Sequence, residues 1–239
     1  SLSLHRVKYC RIVRKAFKGG NQYFLQLVLE GIPPVKRNHN TGMSRRKPAP
    51  NAEVGIDIGT STVAVAGDDG VILKELFPEG ASYDRAIHLL QRKLDRSRRA
   101  TNPANFNVDG TVKQGVKLTW VRSKNYMKIM FRLKDLYRRR AVALKEAHNK
   151  TANAILALGN QVYVEAMDFR ALMKRAKETT VNKDGRFNRK GRYGKSIGYH
   201  APAMLIGIVK QKAPQEGGAL YEVDTFHFRA SHHSNVNDT

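Results

Sequence analysis

Apolar and polar residues alternate from the start of the chain. Arg6-Val7-Lys8-Tyr9-Cys10-Arg11-Ile12-Val13-Arg14 and Tyr23-Phe24-Leu25-Gln26-Leu27-Val28-Leu29 flank Gly19-Gly20-Asn21. A period of two on either side of a glycine turn predicts a hairpin or part of a small barrel. Residues 36–51 are rich in Arg, Asn, Gly and Pro and lack periodicity, which predicts an exposed basic linker and a domain boundary. Alternation then resumes: Val54, Ile56 and Ile58 interleave with Gly55 and Asp57, followed by the turn Gly59-Thr60-Ser61 and the apolar run Thr62-Val63-Ala64-Val65. Val71-Ile72-Leu73 makes a third strand after Asp68-Asp69-Gly70, completing an antiparallel meander. From Ser82 to Arg99 the period lengthens to that of a helix, with Ile87, Leu90 and Leu94 on one face. Asn102-Pro103 stops it, and residues 101–118 are polar enough for a loop. Trp120 to Leu158 carries a long helical pattern through Leu133, Tyr137, Ala141, Leu144, Ala147, Ile155 and Leu158, closed by Gly159-Asn160. Within it Trp120, Tyr126 and the methionines are expected in the core. Gln161-Val162-Tyr163-Val164-Glu165 is a short strand, 169–178 a helix, 179–199 a mobile basic loop, Pro202 to Lys210 a helix, and Tyr221 to Phe228 a fifth strand.

Three antiparallel strands, a helix, then strands interleaved with helices is the order of an α/β, ribonuclease H-like (RuvC-like) domain with a mixed sheet and flanking helices. The expected division is a β-barrel-like N-terminal segment over 1–35, a linker over 36–51, and the α/β domain over 52–239. In such a sheet the first strand is central and a later parallel strand lies beside it, so Asp57 and Glu165 meet at one end. Two carboxylates from neighbouring strands suit Mg²⁺ (or Mn²⁺), a hard cation that prefers oxygen ligands. A pair of such ions activates water and stabilises a leaving oxygen in phosphodiester hydrolysis. By itself the Asp57 segment also suits a simple hairpin whose carboxylate satisfies nearby backbone groups.

Charge narrows the partners. The 239 residues carry 43 Lys+Arg against 20 Asp+Glu, a formal net charge of +23. That excess repels itself unless a polyanion neutralises it, so nucleic acid is expected ahead of a membrane surface. No apolar run reaches the length of a membrane span. The single cysteine, Cys10, excludes an internal disulfide and any cysteine-based zinc site within these residues. A reducing, cytoplasmic setting is expected. Between Asp84 and Lys150 there are 18 Lys/Arg against five acids. Arg92, Lys93, Arg96, Arg98 and Arg99 crowd one helix and are candidate phosphate ligands. Arg138 and Arg139 are further candidates, as are Arg189 and Arg192 in a stretch where Phe187 and Tyr193 are placed to stack on bases.

The run Leu90-Gln91-Arg92-Lys93-Leu94-Asp95-Arg96-Ser97-Arg98-Arg99-Ala100-Thr101-Asn102-Pro103 resembles the TnpB-type transposon-encoded proteins, relatives of type V CRISPR effectors. Gly55-Ile56-Asp57-Ile58-Gly59, Val162-Tyr163-Val164-Glu165 and Phe228-Arg229-Ala230-Ser231 extend the resemblance. It implies an RNA-guided, metal-dependent DNA endonuclease, with guide RNA and target DNA as partners. Asp57 matches the first of that family's three RuvC-like acids and Glu165 the second, while the N-terminal strands match a barrel that grips guide RNA. The family's zinc ribbon and third acid would fall beyond Thr239. Asp224 and Asp238 stand outside the third-acid context and are expected to be structural. The resemblance therefore leaves two outcomes: a nuclease, or a nuclease-inactive RNA-guided DNA binder. A third reading, an actin-like or sugar-kinase-like ATPase, rests on the turn after Asp57, whose amides would cradle phosphate. Its weaknesses are the short chain, the lack of a second phosphate loop, and the high positive charge.

Overall fold

A computed structural model describes residues 5–31, 38–42, 49–174, 178–187 and 193–224. The chain divides into two compact units, Ser1–Pro33 with Glu79–Ala143, and Pro34–Pro78 with Leu144–Thr239. The first helix and half of the second fall in the same unit as the N-terminal strands.

In the first unit, strands β1 (Val7–Phe17) and β2 (Gly20–Leu29) pair antiparallel. Phe17 pairs with Gly20, so the two-residue loop is Lys18-Gly19 rather than the expected Gly-Gly-Asn turn. Gly20 carries the φ of 139° that such a tight reversal demands and that only glycine adopts easily. Helix α1 spans Gly80–Thr101 and helix α2 spans Lys124–Leu156, whose residues up to Ala143 belong to this unit. The two run antiparallel: Asp84 faces Arg140 at 3.6 Å, Gln91 donates to the Tyr137 hydroxyl at 2.9 Å, and Ser97 meets Ser123 at 3.4 Å. Ile87, Ile129 and Leu133 are buried there.

The second unit is a five-stranded mixed sheet with helices. Its strands are β3 (Glu53–Ile58), β4 (Thr62–Gly67), β5 (Gly70–Glu75), β6 (Gln161–Glu165) and β7 (Ala219–Val223), in the order β5-β4-β3-β6-β7. β3, β4 and β5 form the antiparallel meander, whereas β6 and β7 join in parallel. Alternation sends Val54, Ile56, Ile58, Val63, Val65, Val162 and Val164 to one face, and all are buried. Against them pack Ala152, Ile155 and Leu156 of α2 and Leu205, Ile208 and Val209 of helix α5 (Pro202–Lys212). Fully burying an aliphatic side chain is worth about 1.5–3 kcal/mol, so this single-sided core fixes the register of every strand.

Helix α3 covers only Phe169–Met173, started by Asp168, whose carboxylate accepts from the amides of Arg170 and Ala171. The expected mobile loop over 179–199 contains helix α4 (Gly194–His200). The expected strand over Tyr221 to Phe228 begins two residues earlier, at Ala219; Thr225 onward lies outside the described residues.

Candidate carboxylate centre and basic surface

The parallel register of β3 and β6 builds the carboxylate pair. Ile56 stands opposite Val164, so Asp57 and Glu165 are the next row, one on each strand. Both strands show the same alternation, with Ile56 and Val164 buried and Asp57 and Glu165 exposed. The two acids therefore emerge side by side from the uncovered face, at the carboxyl ends of adjacent strands whose backbones lie roughly 4.8 Å apart. Buried Ile56 and Ile58 clamp the backbone on both sides of Asp57. Its row partner on β4 is Ala64, a methyl group that leaves room over the carboxylate. Glu165 ends its strand and is in register with Val223.

This geometry suits a divalent cation: two anionic oxygen donors, exposed at the ends of adjacent strands. Among the described residues, no group of three or more His, Cys, Asp or Glu side chains is arranged to hold a metal ion. Asp224 follows Val223, the row partner of Glu165, and so falls one position past the row of the pair. Asp238 lies outside the described residues.

Two tyrosines share the open face with the acids. Tyr163 and Tyr221 stack at 5.0 Å and 22°. Tyr163 donates to Glu53 at 3.2 Å, and Tyr221 to Gln161 at 3.2 Å. Partial burial, then the hydrogen bond and charge of Glu53, push the Tyr163 phenol up from its ordinary value.

Two histidines with no recognisable ligand spacing prove to be joined. His148 is fully buried, and its Nε2 donates to the carbonyl of His200 at 2.8 Å. His200 in turn lies 3.5 Å from the Glu75 carboxylate, and its Nδ1 lies 3.2 Å from the Ser196 hydroxyl. Ser196 donates to the Thr60 carbonyl at 3.2 Å, in the turn directly after the Asp57 strand. Helix α4 thus braces that turn. The Gly59 amide donates to the Thr62 carbonyl at 2.9 Å, so it is not available to cradle a phosphate. Burial pushes the His148 imidazolium pKa down, outweighing its hydrogen bonds to the backbone of residues 200 and 201. Only pairing across the fold carries this cluster, so sequence spacing could not signal it.

In the first unit the structure sorts the candidate phosphate ligands. Arg92, Lys93 and Arg96 are exposed on α1. With Arg85 and Arg99 the arginines fall at i, i+7, i+11 and i+14, on one side of the helix, over roughly 21 Å of its length. Arg98 and Arg99 are also held internally. Asp95 accepts from Arg99 at 2.7 Å and from Arg98 at 3.3 Å. The Arg99 hydrogen bond, and the charges of both arginines, hold that carboxyl below its usual range. Arg99 further donates to the Gly110 carbonyl at 2.6 Å. Arg138 pairs with Asp135 at 2.7 Å and lies 4.3 Å over the Phe17 ring, while Arg139 is exposed. Arg189 and Arg192 lie outside the described residues.

A five-stranded mixed sheet with one helix-covered face, and paired acids on the other, defines a mixed α/β protein. The chain matches no protein-family model, and no curated protein matches it significantly. Among solved structures it is similar in fold to a chain of the Cas12f1-sgRNA-target DNA complex determined by cryo-electron microscopy. The TM-score is 0.51 at 12% sequence identity, over 94% of this chain and 37% of that one. The two chains thus share a fold, and this chain spans little more than a third of that protein's length.

Proposed function

We propose that the chain is a RuvC-like, ribonuclease H-fold protein of the TnpB type, which hydrolyses DNA phosphodiester bonds under the guidance of RNA. The observation that carries this reading is the register Ile56 opposite Val164, which sets Asp57 beside Glu165 on the open face of a β5-β4-β3-β6-β7 sheet. The fold likeness to a protein captured with sgRNA and target DNA supports the same partners here. So do the net charge of +23 and the exposed arginine ridge of α1.

Asp57 and Glu165 would hold Mg²⁺ or Mn²⁺, which when bound supplies water activation and charge stabilisation at the scissile phosphate. The chain's own residues supply the rest. The buried strand neighbours of Asp57 fix its backbone, which would keep its carboxylate at the end of β3 beside Glu165. Arg92, Lys93 and Arg96 would neutralise backbone phosphates, a contact that positions nucleic acid without reading sequence. Base pairing with a guide would supply the specificity. A prokaryotic cytoplasm, where a lone exposed thiol such as Cys10 stays reduced, suits this role.

A second reading has one observation in its favour: among the described residues no third acid joins the pair. The protein would then bind guide RNA and DNA without cutting. The ATPase reading is disfavoured, because the Gly59 amide is engaged within its own turn. Cleavage of target DNA by the protein with guide RNA and Mg²⁺ separates the readings. Asp57→Ala is expected to abolish cutting while leaving nucleic-acid affinity within about twofold. Cutting by the variant at the original rate would overturn the carboxylate assignment. Tight binding without cutting by the unaltered protein would favour the inactive binder.

A further inference from the structure

Residues 102–123 form a loop built to hold one side chain in place. Buried Asn102 clamps the return of the loop: its Oδ1 accepts from the Val121 amide at 2.7 Å, and its Nδ2 donates to the Val121 carbonyl at 3.0 Å and to the Arg98 carbonyl at 2.9 Å. Asn105 Nδ2 donates to the Thr119 carbonyl at 2.7 Å. Both neighbours of Trp120 in the chain are therefore pinned by asparagine side chains. The indole has Phe106 against it at 5.7 Å and 77°, and the Arg98 guanidinium over the ring at 5.0 Å. Even so, 37% of it stays exposed, where the helical pattern had suggested a core position.

Its surroundings are cationic. Lys113, Lys117, Arg122 and Lys124 are exposed on the same loop and the helix start that follows. The one acid between residues 103 and 123, Asp109, is used by Thr111, whose amide and hydroxyl donate to it at 2.8 and 2.7 Å. No uncommitted carboxylate remains in the loop to offset these charges. A rigid, half-exposed indole in a basic field, already backed by a guanidinium, is suited to flat, electron-rich partners carrying a phosphate.

We propose that Trp120 is a stacking platform for an unpaired nucleobase, with Lys117, Arg122 and Lys124 taking the adjoining phosphates. The inference rests on the nucleic-acid reading above and adds a defined contact to it. A base in a duplex has both faces occupied by its neighbours, so the platform selects single strands. Stacking depends on the π-face that every base carries, so no particular sequence is required. The sugar is not part of the contact, and the RNA and DNA arms of the test identify which strand occupies it.

Trp120 is the only tryptophan in the chain, so its emission reports this site alone. The whole protein would be titrated at low salt with oligo-dU, oligo-rU and a duplex of equal length. Tryptophan emission and the anisotropy of a labelled oligonucleotide would be read together. Stacking predicts quenching by at least one single strand and little change with duplex. Trp120→Leu should weaken single-strand affinity between about fivefold and a hundredfold, with Trp120→Phe restoring most of it and duplex affinity unchanged in both. Single-strand binding by anisotropy with unaltered emission would overturn the platform while leaving the nucleic-acid reading intact. If Trp120→Phe binds single strands as weakly as Trp120→Leu although both melt like the unaltered protein, stacking is likewise refuted. Absence of any nucleic-acid binding would refute both.

Discussion

Replacing Asn102 tests how the loop after α1 is held. The side chain is 6% exposed and makes three hydrogen bonds, two to the backbone of Val121 and one to the Arg98 carbonyl. Asn102→Ala removes all three. The Arg98 carbonyl keeps the Asn102 amide at 3.1 Å, so its loss is small. The Val121 amide and carbonyl lose their partners, and leaving a buried polar group unpaired costs about 1–3 kcal/mol each. The exposed Val121 side chain lets water reach this backbone, which favours the low end and a total of about 2–3 kcal/mol. For a chain of this size that corresponds to a fall in melting temperature of roughly 5–10 °C. Trp120 is adjacent and unique, so thermal unfolding followed by its emission reads this unit directly. Asn102→Asp is a stricter variant: it keeps the shape and the acceptor for Val121 but turns the donor into an acceptor facing two carbonyls. It should destabilise at least as much. A shift under about 2 °C in both variants would mean that other contacts hold the loop.

Two other outcomes follow from the charge pattern. Log affinity for duplex DNA should fall steeply with log salt, and Arg92→Ala with Arg96→Ala should flatten the slope by about 1.8, at roughly 0.9 per phosphate. Arg99→Ala should change it less, because that guanidinium is shared with Asp95 and Gly110; an equal effect, measured by anisotropy across a salt series, would refute this ranking. Separately, His148 has a folded-state pKa below its unfolded value, so the unfolded chain binds the extra proton first. Its contribution is complete above about pH 6.5 and declines as pH falls below it, by at most 1.36 kcal/mol per pH unit. His200 and Lys74 face His148 and add to the cost of charging it. His148→Gln should reduce the acid-side loss in melting temperature between pH 7 and 5.5, and an identical pH profile would exclude His148 as its source.

Much of the second unit was legible because one physical signal set it. Val54, Ile56, Ile58, Val63 and Val65 alternate so regularly that only one face of a meander can bury them. The same alternation on Val162 and Val164 fixes the side to which Asp57 and Glu165 turn. Helix α4 was hidden because Gly194 and Gly198 weaken any local helical preference. What stabilises it comes from Thr60 and His148, far away in sequence. Arg98 and Arg99 looked like uncommitted cations because Asp95 sits only one turn away, where an intrahelical pair is invisible to a charge count. Trp120 looked like core because it lies at the edge of a helical pattern. The helix in fact begins at Lys124, where the Ser123 hydroxyl accepts from the Tyr126 amide at 3.1 Å.

The central claim is that Asp57 and Glu165 act together as one cation site, and titration with Mn²⁺ followed by electron paramagnetic resonance addresses it most directly. The free-ion signal should be depleted by the unaltered protein. Asp57→Asn and Glu165→Gln should each weaken that uptake at least tenfold while the melting temperature stays within a few degrees. Equal Mn²⁺ uptake by the double variant would contradict the account, because the carboxylates would then be neighbours on a sheet without being ligands of one ion.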